Sequence, residues 1–250
     1  MRYCCNLALF LAIFLAGCSS DIDLKKFENK EADSIYKEAC SHIDKRDYSF
    51  ASKIFEELEK LHPYSKYAAL AQVKLGDCYY KMKKYEEAAS EYEIFVKTHS
   101  THELVPYAIY MLGIVYYEQM PIIERDQEVT IKALQYLYVL QRKFKSSKYV
   151  KDANKIVKEL RQHLAGREVY VATYYQKHNN FAAAVNRLNT VIDIYGNTDH
   201  APEAMHRLVE CYVAMGFFDE ARKVNSILQK KFSKTNWAIH SKNLLLSVKK

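Results

Sequence analysis

Apolar residues recur every third or fourth position along almost the whole of this 250-residue chain. That spacing lines one face of an α-helix, and no stretch shows the alternation of a half-buried strand. Six glycines and four prolines leave few breaks, so the pattern predicts an all-α protein. The start is different. Leu7 to Leu15 runs nine apolar residues without interruption, about half of the ~20 that a membrane-spanning helix needs. With Arg2 ahead of it, residues 1–17 read as a signal peptide rather than an anchor helix. The polar, aperiodic residues 18–30 read as a flexible tether, and 31–250 as the helical domain.

Inside the helical domain the pattern repeats. Tyr48-x-x-Ala51-x-x-x-Phe55 returns as Tyr85-x-x-Ala88-x-x-x-Tyr92, Phe181-x-x-Ala184-x-x-x-Leu188 and Phe218-x-x-Ala221-x-x-x-Asn225. Upstream of these, Leu75-Gly76-x-x-Tyr79 returns as Leu112-Gly113-x-x-Tyr116, Val171-Ala172-x-x-Tyr175 and Leu208-Val209-x-x-Tyr212. Ala133-x-x-x-Leu137 supplies the second half of the third copy. This is the tetratricopeptide (TPR) pattern, two helices per repeat. Gly76, Gly113, Ala51 and Ala88 are expected where helices A and B cross too closely for a large side chain, with Tyr79 and Tyr92 filling the space between pairs. No single repeat buries its apolar face; stacking does. The expected architecture is a TPR superhelix, an α-solenoid of five helix–turn–helix repeats.

Repeat starts fall near residues 32, 69, 106, 165 and 202, three of the four intervals being 37. Pro63, Pro106 and Pro202 fall at boundaries, as helix chemistry requires. The interval from 106 to 165 carries 22 extra residues. About 8 of them form a loop around Pro121 and Arg125-Asp126, and 14 lie around Tyr149 to Leu164. The latter predict one long helix from about Lys148 to His178, in which Gly166 costs ~1 kcal/mol relative to alanine. A capping helix near 237–248, packed by Trp237, is expected to cover the last repeat.

Charge changes the picture little. Beyond the signal peptide the chain holds 36 basic and 30 acidic residues. The surplus reads as scattered rather than clustered, without the concentrated basic face of a nucleic-acid binder. An attraction to anionic headgroups or to an acidic partner domain is the alternative. With Cys4 and Cys5 in the leader and Cys18 set aside for the lipid that the cleavage-site resemblance below implies, Cys40, Cys78 and Cys211 remain, an odd number at apolar helical positions. They read as small buried hydrophobes, with a Cys40–Cys78 bridge as the alternative. No phosphate loop or nucleophile elbow is present, and His99-x-x-His102 lies in a turn without a third ligand. Neither catalysis, cofactor nor metal is expected. In a TPR superhelix, helix A lines the inner groove, which places Tyr36, Val73, Tyr80, Tyr107, Tyr110 and Tyr117 there. Such a surface suits an extended peptide, giving flat apolar contact plus hydroxyls. Inter-repeat packing is the alternative for each tyrosine.

Two resemblances add to this. Leu15-Ala16-Gly17-Cys18 resembles the cleavage site of bacterial lipoprotein signal peptides, which implies that Cys18 carries the lipid. Ser19 rather than aspartate after it implies delivery to the outer membrane. The repeat domain as a whole is similar to the BamD family, the TPR lipoprotein of the outer-membrane β-barrel assembly (BAM) complex. The likeness rests on Ser65-x-Tyr67-Ala68, Gly76-Asp77-x-Tyr79-Tyr80-Lys81, Tyr107-x-x-Tyr110-Met111-x-Gly113, Arg125-Asp126-Gln127, Ser147-x-Tyr149-x-x-Asp152-Ala153, and Tyr174-Tyr175 followed by Ala183-Ala184-Val185-Asn186-Arg187. Lys145 and Gly196 stand where the family has turn prolines. The resemblance implies a non-enzymatic outer-membrane scaffold on the periplasmic face, lipid-anchored. Its partners would be a BamA-like barrel-forming subunit, other BAM accessory lipoproteins and unfolded outer-membrane protein precursors. It also implies that Arg187 contacts the barrel subunit; an ion pair with Asp193 or Glu210 is the alternative. A periplasmic TPR lipoprotein that scaffolds cell-wall or envelope-division enzymes differs from this only in its partners.

Overall fold

The computed structural model describes residues 24–248. The signal peptide and Cys18 lie outside the described residues. Among them, every regular element is helical. After a 3-10 turn at Leu24–Phe27 come α1 (Ala32–Asp44), α2 (Tyr48–Leu61), α3 (Lys66–Lys81), α4 (Tyr85–Thr98), α5 (Val105–Tyr117) and α6 (Glu128–Lys143). Then follow α7 (Val150–Lys177), α8 (Phe181–Ile194), α9 (Ala201–Ala214), α10 (Phe218–Phe232) and α11 (Asn236–Ser247). Odd and even helices from α1 to α10 are the A and B helices of five TPR repeats. The described residues form two compact units, one ending at Ala71 and the other beginning at Gln72, with the boundary inside α3.

In the first unit α1 packs on α2 through the fully buried Ile35, Ala39, Ala51 and Phe55. Phe27 is fully buried too. Lys26 and Lys30 both reach Glu38 at 2.7 Å and lie 4.7 and 4.9 Å from the Phe27 ring. Residues 24–30 are therefore not part of a flexible tether, contrary to expectation. A single aromatic ring with a core to enter, backed by two lysines sharing one carboxylate, fixes the segment.

In the second unit the small residues sit where close crossing demands them. A Cβ on Gly76 would fall 2.8 Å from Tyr92 Cε1, and one on Gly113 would collide with Leu137 Cδ2. Tyr92 and Leu137 are fully buried. α11 packs on α9 and α10, with the Trp237 ring 5.4 Å from that of His206 on α9.

Turns repeat as faithfully as helices. Four A-to-B turns place one residue in the left-handed region: Arg46, Lys83, Asn179 and Gly216, at φ 57 to 78°. Each is closed by the same pair of backbone bonds, such as Lys83 N–H to Tyr80 O and Lys84 N–H to Tyr79 O. This is the Schellman closure of a helix end. Each B helix ends on a ring: His62, His99, Phe144, Tyr195 or Phe232. The next turn is closed by an N–H three residues on, at Ser65, His102, Ser147, Thr198 and Thr235. The turns at Lys145 and Gly196 form this way without proline.

α7 absorbs the long interval: 28 residues from Val150 to Lys177, where the sequence predicts about 148–178. Its middle is fastened to the turn before α9. Arg161 donates to Tyr138 Oη, the Ile194 carbonyl and Asn197 Oδ1, and Gln162 donates to Asp199. Gly166 is a packing site: a Cβ there would lie 3.1 Å from His200 Nε2.

Candidate peptide-binding face

The A helices of the second unit carry tyrosines whose hydroxyls are already engaged. Asp77 Oδ1 accepts from Tyr92 Oη at 2.7 Å and from Tyr107 Oη at 2.6 Å, while Lys74 pairs with Oδ2 at 3.2 Å. Glu118 accepts from Tyr80 at 3.4 Å, and Glu159 from Tyr117 at 2.6 Å. Tyr110 stacks on Tyr149, centroids 5.1 Å apart and planes 17° apart. A phenol that donates to a carboxylate resists ionisation. Tyr117 is pushed up to about 12 by its bond to Glu159 and by burial, and burial raises Tyr80, Tyr107 and Tyr110.

These positions sort the expected groove residues. Val73 is only 2% exposed, so it belongs to the core and cannot line a groove. Tyr36 packs on Phe55 and Tyr67 within the first unit, centroids 5.8 and 5.3 Å away, and serves packing. Tyr107 is held edge-on to Tyr92 and tied to Asp77, again as packing. Tyr80, Tyr110 and Tyr117 remain half-exposed on one series of A helices. The hydroxyls of Tyr80 and Tyr117 are spent on carboxylates and the Tyr110 ring is stacked on Tyr149, so a strand laid here meets ring faces and carboxylate edges.

Glu159 carries this surface into a cleft of about 740 Å³ on the C-terminal half of α7. Gly166 and Val169 line it beside Met120 and Ile123 from the α5–α6 loop, His200 and Glu203 at the start of α9, and Tyr170 and Tyr174. Tyr170 is 45% and Tyr174 57% exposed. Large rings left half in water beside an apolar hollow are the usual anchors of recognition. Burial lowers the pKa of His163, another lining residue, so it is neutral at pH 7. Sequence reasoning missed this cleft. The one available signal was Tyr170 and Tyr174 at i, i+4 on a helix already predicted to be overlong.

At α8, Arg187 Nη1 pairs with Glu168 Oε2 on α7 at 3.3 Å, and with neither Asp193 nor Glu210. The arginine remains 47% exposed, so the pair leaves a fork available. Glu210 pairs with His206 at 3.4 Å, and that hydrogen bond is the main reason its carboxyl is held below the usual range. His99 and His102 pack on Phe95, and His102 Nδ1 accepts the Leu104 N–H at 3.1 Å, so both serve the helix junction. Cys78 and Cys211 are buried and Cys40 is half-buried; burial pushes the Cys211 thiol up to about 11. Among the described residues, no three His, Cys, Asp or Glu side chains gather as a metal site, and no helix is long and apolar enough to cross a membrane.

The chain resembles known proteins along nearly its full length. It is 30% identical over 237 residues to "Outer membrane protein assembly factor BamD" of Rickettsia prowazekii, covering 95% of this chain and 94% of that one. It is 28% identical over 240 residues to the protein of that name from Caulobacter vibrioides, covering 95% and 79%. With the Neisseria meningitidis serogroup A protein it shares 28% over 249 residues, covering 94% and 93%. A TPR2AB-domain complex of yeast Sti1 aligns over 87% of this chain at 14% identity and TM-score 0.45, too loosely to add to the repeat geometry. The YfiO family, described as "Outer membrane lipoprotein", matches residues 28–227. On that match and those relatives, the chain belongs to the YfiO family of outer membrane lipoproteins, the family of the BamD assembly factors.

Proposed function

We propose that this protein is an outer membrane protein assembly factor that works by binding rather than by catalysis. Lipid on Cys18 holds it to the outer membrane on the periplasmic side. The second unit takes extended segments of barrel precursors along Tyr80, Tyr110 and Tyr117, and the cleft at Tyr170 and Tyr174 seats one of their aromatic side chains. The exposed edge of Arg187 forks onto a carboxylate of the barrel-forming subunit, displacing Glu168. One observation supports the reading most: half-exposed tyrosine rings lead through a shared Glu159 into an apolar cleft. A strand fits that surface because alternate side chains can reach rings while its N–H groups meet the carboxylates.

The test is a titration with a peptide carrying an aromatic-ended barrel signal. Tyr80→Ala with Tyr110→Ala, and separately Tyr170→Ala with Tyr174→Ala, should each weaken binding by about tenfold or more, about 1.4 kcal/mol. Unchanged affinity in both pairs would remove the groove. For Arg187→Ala the readout is co-purification with the barrel-forming subunit, which should fall.

A further inference from the structure

The last stretch of the chain is electrically one-sided. From Arg222 to Lys250 there are eight lysines and arginines and no aspartate or glutamate. The expectation of a scattered surplus therefore fails at this end. The structure shows what these cations do. Arg222 pairs with Asp219 at 2.7 Å. Lys230, Lys231, Lys234 and Lys242 are exposed on α10, the turn after it and α11, and among the described residues none makes an ion pair. Exposed apolar side chains stand among them: Phe218, Ile227, Ile239, Leu246 and Val248. Cations left unpaired beside apolar groups left in water suit a surface that is negative and has apolar depth.

We infer that the α10–α11 end docks on an anionic lipid surface. The residue types decide between lipid and an acidic protein. Protein interfaces enrich arginine and deplete lysine, because the guanidinium fork pairs with carboxylates in two places. Here seven of the eight cations are lysines. Lysine is a compact, well-hydrated point charge that suits a diffuse layer of phosphates, and its stem lies along apolar surface while the head stays wet. Interleaved lysine and exposed aliphatic or aromatic residues are the composition of segments that sit in the headgroup layer. Each such lysine strengthens attachment to an anionic membrane by about fivefold.

The chain has one tryptophan, Trp237, and it lies on α11. The full, acylated protein is reconstituted into vesicles of phosphatidylcholine alone, or of equal parts phosphatidylcholine and phosphatidylglycerol, each with nitroxide-labelled headgroups. Retention on neutral vesicles reports the lipid anchor; quenching of Trp237 reports the α10–α11 end. Quenching should appear with phosphatidylglycerol, disappear in high salt, and be lost when Lys230, Lys231, Lys234 and Lys242 are all changed to glutamine. Binding of the protein's unacylated form to the anionic vesicles should fall several-hundredfold, about 600-fold at fivefold per lysine, with the same four changes. The four side chains are exposed and unpaired, so the variant should keep its helical circular dichroism. Equal quenching in the two vesicle types would overturn the inference, as would quenching that survives the four substitutions. Peptide titration reads the tyrosine face separately, so failure here leaves that reading intact.

Discussion

At the scale of single residues, carboxylates set the behaviour of the tyrosine-rich surface. Asp77 satisfies two phenols at once, and Tyr92 is fully buried. A buried hydroxyl left without a partner costs about 1–3 kcal/mol. Asp77→Ala should therefore destabilise the protein by about 2–4 kcal/mol in urea unfolding, and Asp77→Asn, which keeps an acceptor, by clearly less. Equal losses would mean that the carboxylate is not the shared acceptor. Gly113→Ala sets about 1 kcal/mol of helix propensity against the clash with Leu137, where overpacking costs about 1–3 kcal/mol, so stability should fall. The need for Gly76 and Gly113 is legible from the repeat. The partners of the tyrosines are not: Tyr80 and Glu118 are 38 residues apart, and Tyr117 and Glu159 are 42 apart. Val73 shows the same limit, since a repeat position names a face of a helix but not how far a neighbour covers it.

At the scale of elements, α7 decides where a ligand can sit. Its length is legible, because the extra residues keep helical spacing. The cleft is not legible, because it needs the α5–α6 loop and the start of α9 to meet the same face of α7. Gly166 lies on the floor of that cleft, half facing His200. Gly166→Leu should fill the hollow. The variant should remain helical yet lose most affinity for the aromatic-ended peptide, while a variant that binds normally would place the peptide elsewhere. The turns teach a related lesson. The left-handed closure recurs at four A-to-B turns and the closure after the B helix at all five repeats, but only some carry a proline or glycine that sequence inspection notices. Lys83 holds φ 60° where glycine would be unstrained. Lys83→Gly should raise stability by about 0.5–1 kcal/mol in thermal or urea unfolding.

At the scale of the whole molecule, the tyrosines give a pH signature. Tyr116 and Tyr117 are held at about 12, the first chiefly by burial and the second chiefly by its bond to Glu159, against about 10 when unfolded. A raised folded pKa gives stability that is complete below pH 10 and lost as the pH climbs through 12. The thermal midpoint should fall across that window as Tyr116 and Tyr117 ionise, read as the tyrosinate absorbance that Tyr116→Phe with Tyr117→Phe removes; onset of that absorbance near pH 10 in folded protein would refute the bonding pattern. The all-helical class, the repeat phase and the long helix follow from hydrophobic spacing, whereas the docking of residues 24–30 on α1 and α2 depends on one ring, Phe27, finding a core. The most direct test of a binding scaffold for barrel assembly is crosslinked purification of the protein from envelope membranes, followed by mass spectrometry. The account predicts the barrel-forming subunit and unfolded outer-membrane precursors as crosslinked partners, the precursors diminished by Tyr170→Ala with Tyr174→Ala. Recovery of cell-wall or division enzymes in their place would contradict it.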